Sequence, residues 1–191
     1  VFAGGISAKA DEGMWMINAI DAALEKKMQE RGLELPAGEI YNADAPGACV
    51  SDAVVSMAFG CTGSIISDEG LLITNHHCGF SFIQQLSTVE HNYLHNGFWS
   101  QSYEEELPCS NISFTFVKEI KDVTDEINSR IDEGKISIED SFNSEVLAAI
   151  GKELFDADNI EGKEHMYPQL LPYFEGNKYY LVYYMRYTDV R

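Results

Sequence analysis

Two histidines and a cysteine stand together in Asn75-His76-His77-Cys78-Gly79, downstream of another cysteine, Cys61. Imidazole exchanges a proton near neutral pH, which makes histidine the usual general base in acyl transfer. A base works only when its ring is held in one orientation. A hairpin between the two cysteines could bring Cys61 and Cys78 close enough for a disulfide, which would pin the loop carrying His77. Closing a loop of that size contributes about 3 kcal/mol in the chain-entropy model. A buried disulfide beside two ordinary histidines fits the same spacing, and both readings stand at this point. His91 and His95, four residues apart, could join His77 around a metal, but no His-Glu-x-x-His pattern accompanies them. Surface or packing histidines are the plainer account, so neither metal nor cofactor is expected. Cys49 and Cys109 are left for a second bridge or as free thiols. No two cysteines have the Cys-x-x-Cys spacing of a structural zinc or thioredoxin-type site.

Strands and a turn must position these groups. Residues 53–57 read as a strand, and 63–66 and 71–74 as two more, joined through the tight turn Ser67-Asp68-Glu69-Gly70. The last strand runs straight into Asn75-His76-His77, and residues 80–86 read as a short helix. Upstream, Met16, Ile17, Ile20, Leu24 and Met28 predict a helix over 16–31, stopped by Gly32. Residues 33–46 hold two prolines and read as an irregular connector. Downstream, Ile112, Phe114 and Phe116 alternate with polar residues as in a half-buried strand. From 122 to 158 the pattern is helical and acidic, with Ile127, Ile131, Val146, Leu147, Ile150 and Leu154 inward and a break near Gly134. Ser137-Ile138-Glu139-Asp140 resembles a helix start with a capping-box partner in Asp140. A hairpin closes the pattern, from 170–174 through Glu175-Gly176-Asn177 to 178–187. Its tyrosines, Tyr179, Tyr180, Tyr183, Tyr184 and Tyr187, are expected to pack a sheet wall against the helical segment. The fold class expected is mainly β with a helical insertion.

Composition narrows the functions. The 191 residues are enough for one domain with room for a terminal arm. Hydrophobic residues make up 45% and charged residues 23%, as in a globular protein. Thirteen Lys and Arg against thirty-one Asp and Glu give a net charge of −18. Such a surface repels phosphate backbones and anionic lipid, which argues against nucleic-acid or peripheral membrane binding. No run of about eighteen apolar residues occurs, so no helix is expected to span a bilayer. Residues 1–10 are small and apolar and end in Ala8-Lys9-Ala10, the pattern of a signal-peptide cleavage site, before the acidic Asp11-Glu12. They are read as the remnant of a secretory signal, with a flexible Ala/Gly tail as the bland alternative. The cysteines suit an oxidising compartment. Glu104-Glu105-Glu106 reads as a solvated face.

Cys61-Thr62-Gly63-Ser64-Ile65-Ile66 followed by Thr74-Asn75-His76-His77-Cys78 resembles the first half of a chymotrypsin-type barrel. More closely, the chain resembles the bacterial dipeptidyl-peptidase 7 and 11 family of serine exopeptidases. The matching segments are Asp11-Glu12-Gly13-Met14-Trp15, Gly63-Ser64-Ile65-Ile66-Ser67, Thr74-Asn75-His76-His77-Cys78-Gly79, Ile83-Gln84-Gln85, His91-Asn92-Tyr93-Leu94 and Gly97-Phe98-Trp99. Glu106-Leu107-Pro108 and Gly176-Asn177-Lys178-Tyr179-Tyr180-Leu181 match as well, so the resemblance covers nearly all of residues 11–191.

The resemblance implies a Ser-His-Asp hydrolase that removes dipeptides from the free N-terminus of peptides. His77, just before the bridged cysteine, would take the serine proton and hand it to the leaving amine. His76 would be a neighbour with a packing or hydrogen-bonding role. In the family the acid lies in a His-Thr-Gly-Asp motif after an Asn-Trp substrate-amine site, and the nucleophile in a Gly-x-Ser setting of the second barrel. Neither His-Thr-Gly-Asp nor Gly-Asp-Ser-Gly occurs in these residues, and Asp189 is read as structural. The expectation is therefore an incomplete chymotrypsin-like barrel carrying only the base and inactive alone. Residues 1–10 would be signal remnant, 11–48 a helical arm, and 49–191 the first barrel portion with an insertion at about 120–158. The resemblance further implies export to the periplasm or surface of a Gram-negative bacterium and a possible homodimer. The competing expectation is a secreted binding module on a degenerate barrel.

Overall fold

The computed structural model describes residues 16–44, 49–57, 60–173 and 177–188. The segment read as signal remnant, the Asp11-Glu12-Gly13-Met14-Trp15 motif, Glu175-Gly176 and Asp189 lie outside them. There are six strands among the described residues: β1 (Val54–Met57), whose side chains alternate exposed and buried, β2 (Thr62–Ile65), β3 (Leu72–Thr74), β4 (Phe114–Asp122), β5 (Met166–Tyr173) and β6 (Lys178–Tyr187), buried on both faces over 179–183. They form one sheet in the order β3-β2-β1-β4-β6-β5, with every pairing antiparallel. The Ser67–Gly70 turn lies where the sequence put it: the Ile66 amide donates to the Leu71 carbonyl at 2.8 Å, and Gly70 takes a left-handed φ of +84°.

The helices are α1 (Ala22–Gln29), α2 (Ala37–Ile40), α3 (His76–Leu86), α4 (Tyr93–Asn96), α5 (Thr124–Asp132) and α6 (Ser144–Ala157). The first is shorter than the periodicity over 16–31 suggests. Asp21 accepts the Leu24 amide at 2.8 Å and starts the helix there, leaving only a single 3-10 turn, Ile17–Ala19, ahead of it. The capping box at Ser137 and Asp140 forms in both directions, at 2.9 and 3.1 Å, but it opens another short 3-10 turn. Asn143 caps α6 instead, accepting the Glu145 amide at 2.9 Å.

Directly paired residues share a face of the sheet. Val55 pairs with Phe116 and Met57 with Phe114, and Phe116 pairs in turn with Met185. That face therefore also carries Tyr183, Leu181 and Tyr179 along β6, two residues apart. At one end Val55, Met57, Ile112 and Phe114 enclose Cys78, with Phe82 of α3 packed alongside. At the other, Ile127, Leu147, Ile150 and Phe155 of α5 and α6 pack on Leu170, Tyr179, Leu181 and Tyr183. Gly151 is what lets α6 come so close: a Cβ there would lie 3.1 Å from the Leu170 Cβ. Of the tyrosine run, Tyr179 and Tyr183 do face the helices, while Tyr180 and Tyr184 project to the opposite side, against Tyr173 and Tyr167.

Polar groups tie the helical layer to the sheet. Asp158, just past α6, accepts from Lys121 Nζ at 2.5 Å and from the Tyr183 hydroxyl. These two bonds, Lys121 first, hold its carboxyl below the ordinary range. Burial, then the Asp158 contact, pushes the Tyr183 phenol well above its own. Arg130 of α5 grips Glu153 of α6 through both terminal nitrogens, at 3.0 and 2.9 Å.

Candidate active site

The site is built on the shortest strand. β3 is three residues long and edges the sheet, and its last residue, Thr74, leads through Asn75 directly into α3. Asn75 is extended, and its carbonyl accepts the Cys78 amide at 2.9 Å, so the helix begins at His76. The expected loop around His77 is thus the first turn of an eleven-residue helix that starts earlier than residue 80. Helical backbone fixes the Cα–Cβ direction of His77 more firmly than a loop would.

Two links hold this turn to the sheet. Cys61 and Cys78 are joined in a disulfide with a Cα–Cα distance of 6.0 Å. Thr74 Oγ1 donates to the Thr62 carbonyl at 2.7 Å. β2 and β3 approach closely at Gly63, where a Cβ would stand 3.0 Å from the Ile73 carbonyl oxygen and 3.0 Å from Leu72 Cδ2. Any other residue would force the strands apart.

His77 is exposed, and one ring nitrogen lies within 4.8 Å of both disulfide sulfurs. Both sulfurs are spent in that bond, so they supply no thiolate to a metal. Among the described residues, the His77 imidazole makes no side-chain hydrogen bond or ion pair. Among the described residues no carboxylate and no hydroxyl bonds to it. His76 is also exposed and meets the Phe80 ring edge-on, with centroids 5.8 Å apart.

The remaining candidates do not converge on His77. His91 stacks on Tyr93 at 6.0 Å, and His95 sits in α4 with its amide on Asn92. Cys61, His77 and Cys78 are the only cluster of three possible ligands among the described residues, and His91 and His95 are not in it. Cys49 and Cys109 are both free thiols. Cys49 Sγ points at Asp52 Oδ2, 3.0 Å away, whereas burial among core side chains raises the Cys109 thiol.

A feature that sequence reasoning missed lies behind α3. An open cavity of about 840 Å³ is lined by Leu72, Thr74, Phe82, Ile83, Tyr103 and Glu106, among others. It places Glu106 beside apolar groups rather than on a plain solvated face. The motif Glu104-Glu105-Glu106 gave no sign of this, because the cavity forms only when the segment around Tyr103 folds against β3 and α3.

The geometry is that of a covalently braced, outward-facing histidine at the edge of an antiparallel sheet, and comparison with known proteins gives it a lineage. The Peptidase S46 family model matches residues 10–191. The chain belongs to the S46 peptidase family. Dipeptidyl-peptidase 7 of Phocaeicola vulgatus is 43% identical over 97% of the chain, and the Asp/Glu-specific dipeptidyl-peptidase of Porphyromonas gingivalis 38% over 96%. The S46 chain spans about a quarter of these relatives' length, 26% and 25% respectively. The crystal structure of Porphyromonas endodontalis DPP11 in complex with substrate matches 94% of the chain at 34% identity with a TM-score of 0.78, and 26% of that structure is covered. A DPP11 complex with the dipeptide Arg-Glu matches equally well. The six-stranded sheet of this S46 chain is accordingly part of an incomplete chymotrypsin-like barrel, as the residues suggested.

Proposed function

We propose that the chain carries the general-base portion of a serine-type dipeptidyl-peptidase, with His77 as the base. The observation that carries this reading is the exposed His77 in the first turn of α3, next to a disulfide, in an S46 chain. As a serine oxygen attacks the peptide carbonyl, the imidazole takes its proton and then delivers it to the departing amine. Water repeats the sequence to release the dipeptide. Residues 11–48 serve as an arm and 49–191 as the first barrel portion. The substrates are peptides with a free N-terminus, the protein is exported to an oxidising compartment, and two copies associate.

The test uses the complete polypeptide that contains this segment. His77→Ala should cost on the order of 10⁴-fold or more in kcat, whereas His76→Ala should stay within about threefold of wild type. The reverse pattern would move the role to His76. Unchanged turnover in both would remove the base from this pair, and a complete wild-type polypeptide without turnover would leave the rival reading, a binding module on a degenerate barrel.

A further inference from the structure

The face of the sheet turned away from both core clusters carries a polar row. Thr62 pairs with Ser56, Ser56 with Thr115, and Thr115 with Arg186. Three hydroxyl side chains and one guanidinium therefore lie in line across β2, β1, β4 and β6. Arg186 is set by the neighbouring row: its guanidinium carbon sits 5.0 Å from the Tyr167 ring centroid, and Nη2 donates to the Tyr167 hydroxyl at 3.2 Å. Tyr167 is itself stacked on Tyr184, with centroids 5.5 Å apart. Ser56, Ser113, Thr115, Tyr167, Gln169 and Arg186 line a cavity of about 400 Å³.

The cation in this cavity is differently placed from five others. Lys121, Arg130, Lys135, Lys152 and Lys178 each meet a carboxylate. Arg186 has no carboxylate partner among the described residues, in a chain where acids outnumber bases by eighteen. It is instead held by an aromatic ring at the side of a cavity whose other polar side chains are hydroxyls and an amide. Those groups can donate to an anion but cannot neutralise the guanidinium.

We propose that this cavity binds a carboxylate of a peptide, with Arg186 as the charged partner and Thr115 and Ser56 as hydroxyl donors. A guanidinium fork matches the two oxygens of a carboxylate. One positive charge in a strongly acidic molecule favours a monoanion over a dianionic phosphate, which would meet twice the repulsion. The proposal rests on the row across the sheet and is independent of the role given to His77.

Backbone amide spectra of the complete, deuterated and isotope-labelled polypeptide that contains this segment test it, by titration with N-acetyl-diglycine, its C-terminal amide, N-acetyl-glutamic acid α-amide and inorganic phosphate. Both carboxylates should shift Thr115 and Arg186 saturably, with dissociation constants of roughly a millimolar, and the neutral amide should not. Tighter binding of N-acetyl-diglycine assigns the site to a chain terminus, and tighter binding of the glutamate compound assigns it to an acidic side chain. Arg186→Gln should weaken either by about tenfold or more. Thr115→Val should weaken it several-fold and provides the test if Arg186→Gln does not fold. Absence of saturable shifts, equal binding of the neutral amide, unchanged affinity in the folded variants, or preference for phosphate would each overturn the proposal.

Discussion

The Thr74 hydroxyl donates to the Thr62 carbonyl at 2.7 Å, one residue beyond Cys61 and three before His77. The disulfide between Cys61 and Cys78 straddles this bond. β2 and β3 are thus clasped twice before the chain turns into α3, once by a hydrogen bond within the hairpin and once covalently across it. A three-residue edge strand has too few ladder bonds to hold a helix start in place by itself.

The disulfide should therefore dominate local stability. Non-reducing peptide mapping should show Cys61 linked to Cys78, with Cys49 and Cys109 recovered as free thiols. Cys61→Ser combined with Cys78→Ser should cost about 3 kcal/mol in chemical denaturation. Two free thiols at 61 and 78 in the oxidised protein would contradict the arrangement.

Three glycines on this scaffold should respond differently to the same change. Gly63→Ala puts a Cβ against the Ile73 carbonyl oxygen, and Gly151→Ala puts one against Leu170 Cβ, at 3.0 and 3.1 Å. Each should lose about 1–3 kcal/mol, since neither neighbour is the free end of a flexible side chain. Gly79 sits inside α3 with its nearest atom 3.7 Å away, so Gly79→Ala should gain about 0.5–1 kcal/mol from helix propensity. Melting temperatures of the three variants check the order.

Acid should loosen the helical layer first at Asp158. Its folded carboxyl titrates below the ordinary 3.8, so the unfolded chain takes up the proton first as the pH falls. The stabilisation is complete above that value and is lost as the pH drops through the folded one. Tyr183 acts in the opposite direction: its phenol is raised above the ordinary 10.0, so its contribution is complete below that pH and fades in stronger base. Asp158→Asn should melt lower than wild type at neutral pH, with the gap closing only as the pH falls below the ordinary 3.8.

The 191-residue chain alone should release no dipeptide from peptide substrates. Its His77 imidazole meets neither an orienting carboxylate nor a serine hydroxyl among the described residues, and base catalysis needs both. A liberated-amine assay on the purified chain checks this, and turnover abolished by His77→Ala would refute it.

The hairpin of β2 and β3 was legible because alternating side chains, a Ser-Asp-Glu-Gly turn and a left-handed glycine all agree there. The start of α3 was not. His76-His77-Cys78-Gly79 holds weak helix formers, and the helix begins there because the strand and the disulfide deliver the chain at that angle. The disulfide beside His77 was within reach of the cysteine spacing, whereas the exposure and the lack of partners of the imidazole depend on surroundings that no local pattern encodes. The capping box at Ser137 misled for a related reason. It is a real hydrogen-bond pair, but Asn143 competes for the helix start and wins. The cavity behind α3 and the row from Thr62 to Arg186 were invisible, since both depend on which distant strands become neighbours.

The strand order has a consequence for synthesis. β1, β2 and β3 follow one another, so that hairpin set can pair while translation continues. β4 pairs with β1 on one side, but its other neighbour is β6, and Lys178 meets Asp122 across a separation of 56 residues. Until β6 clears the ribosome, β4 presents an unpaired edge and the apolar sides of α5 and α6 lack the strand they pack against. A nascent chain stalled within that interval exposes a template for another copy's strand, and that interval is where a chaperone would matter most.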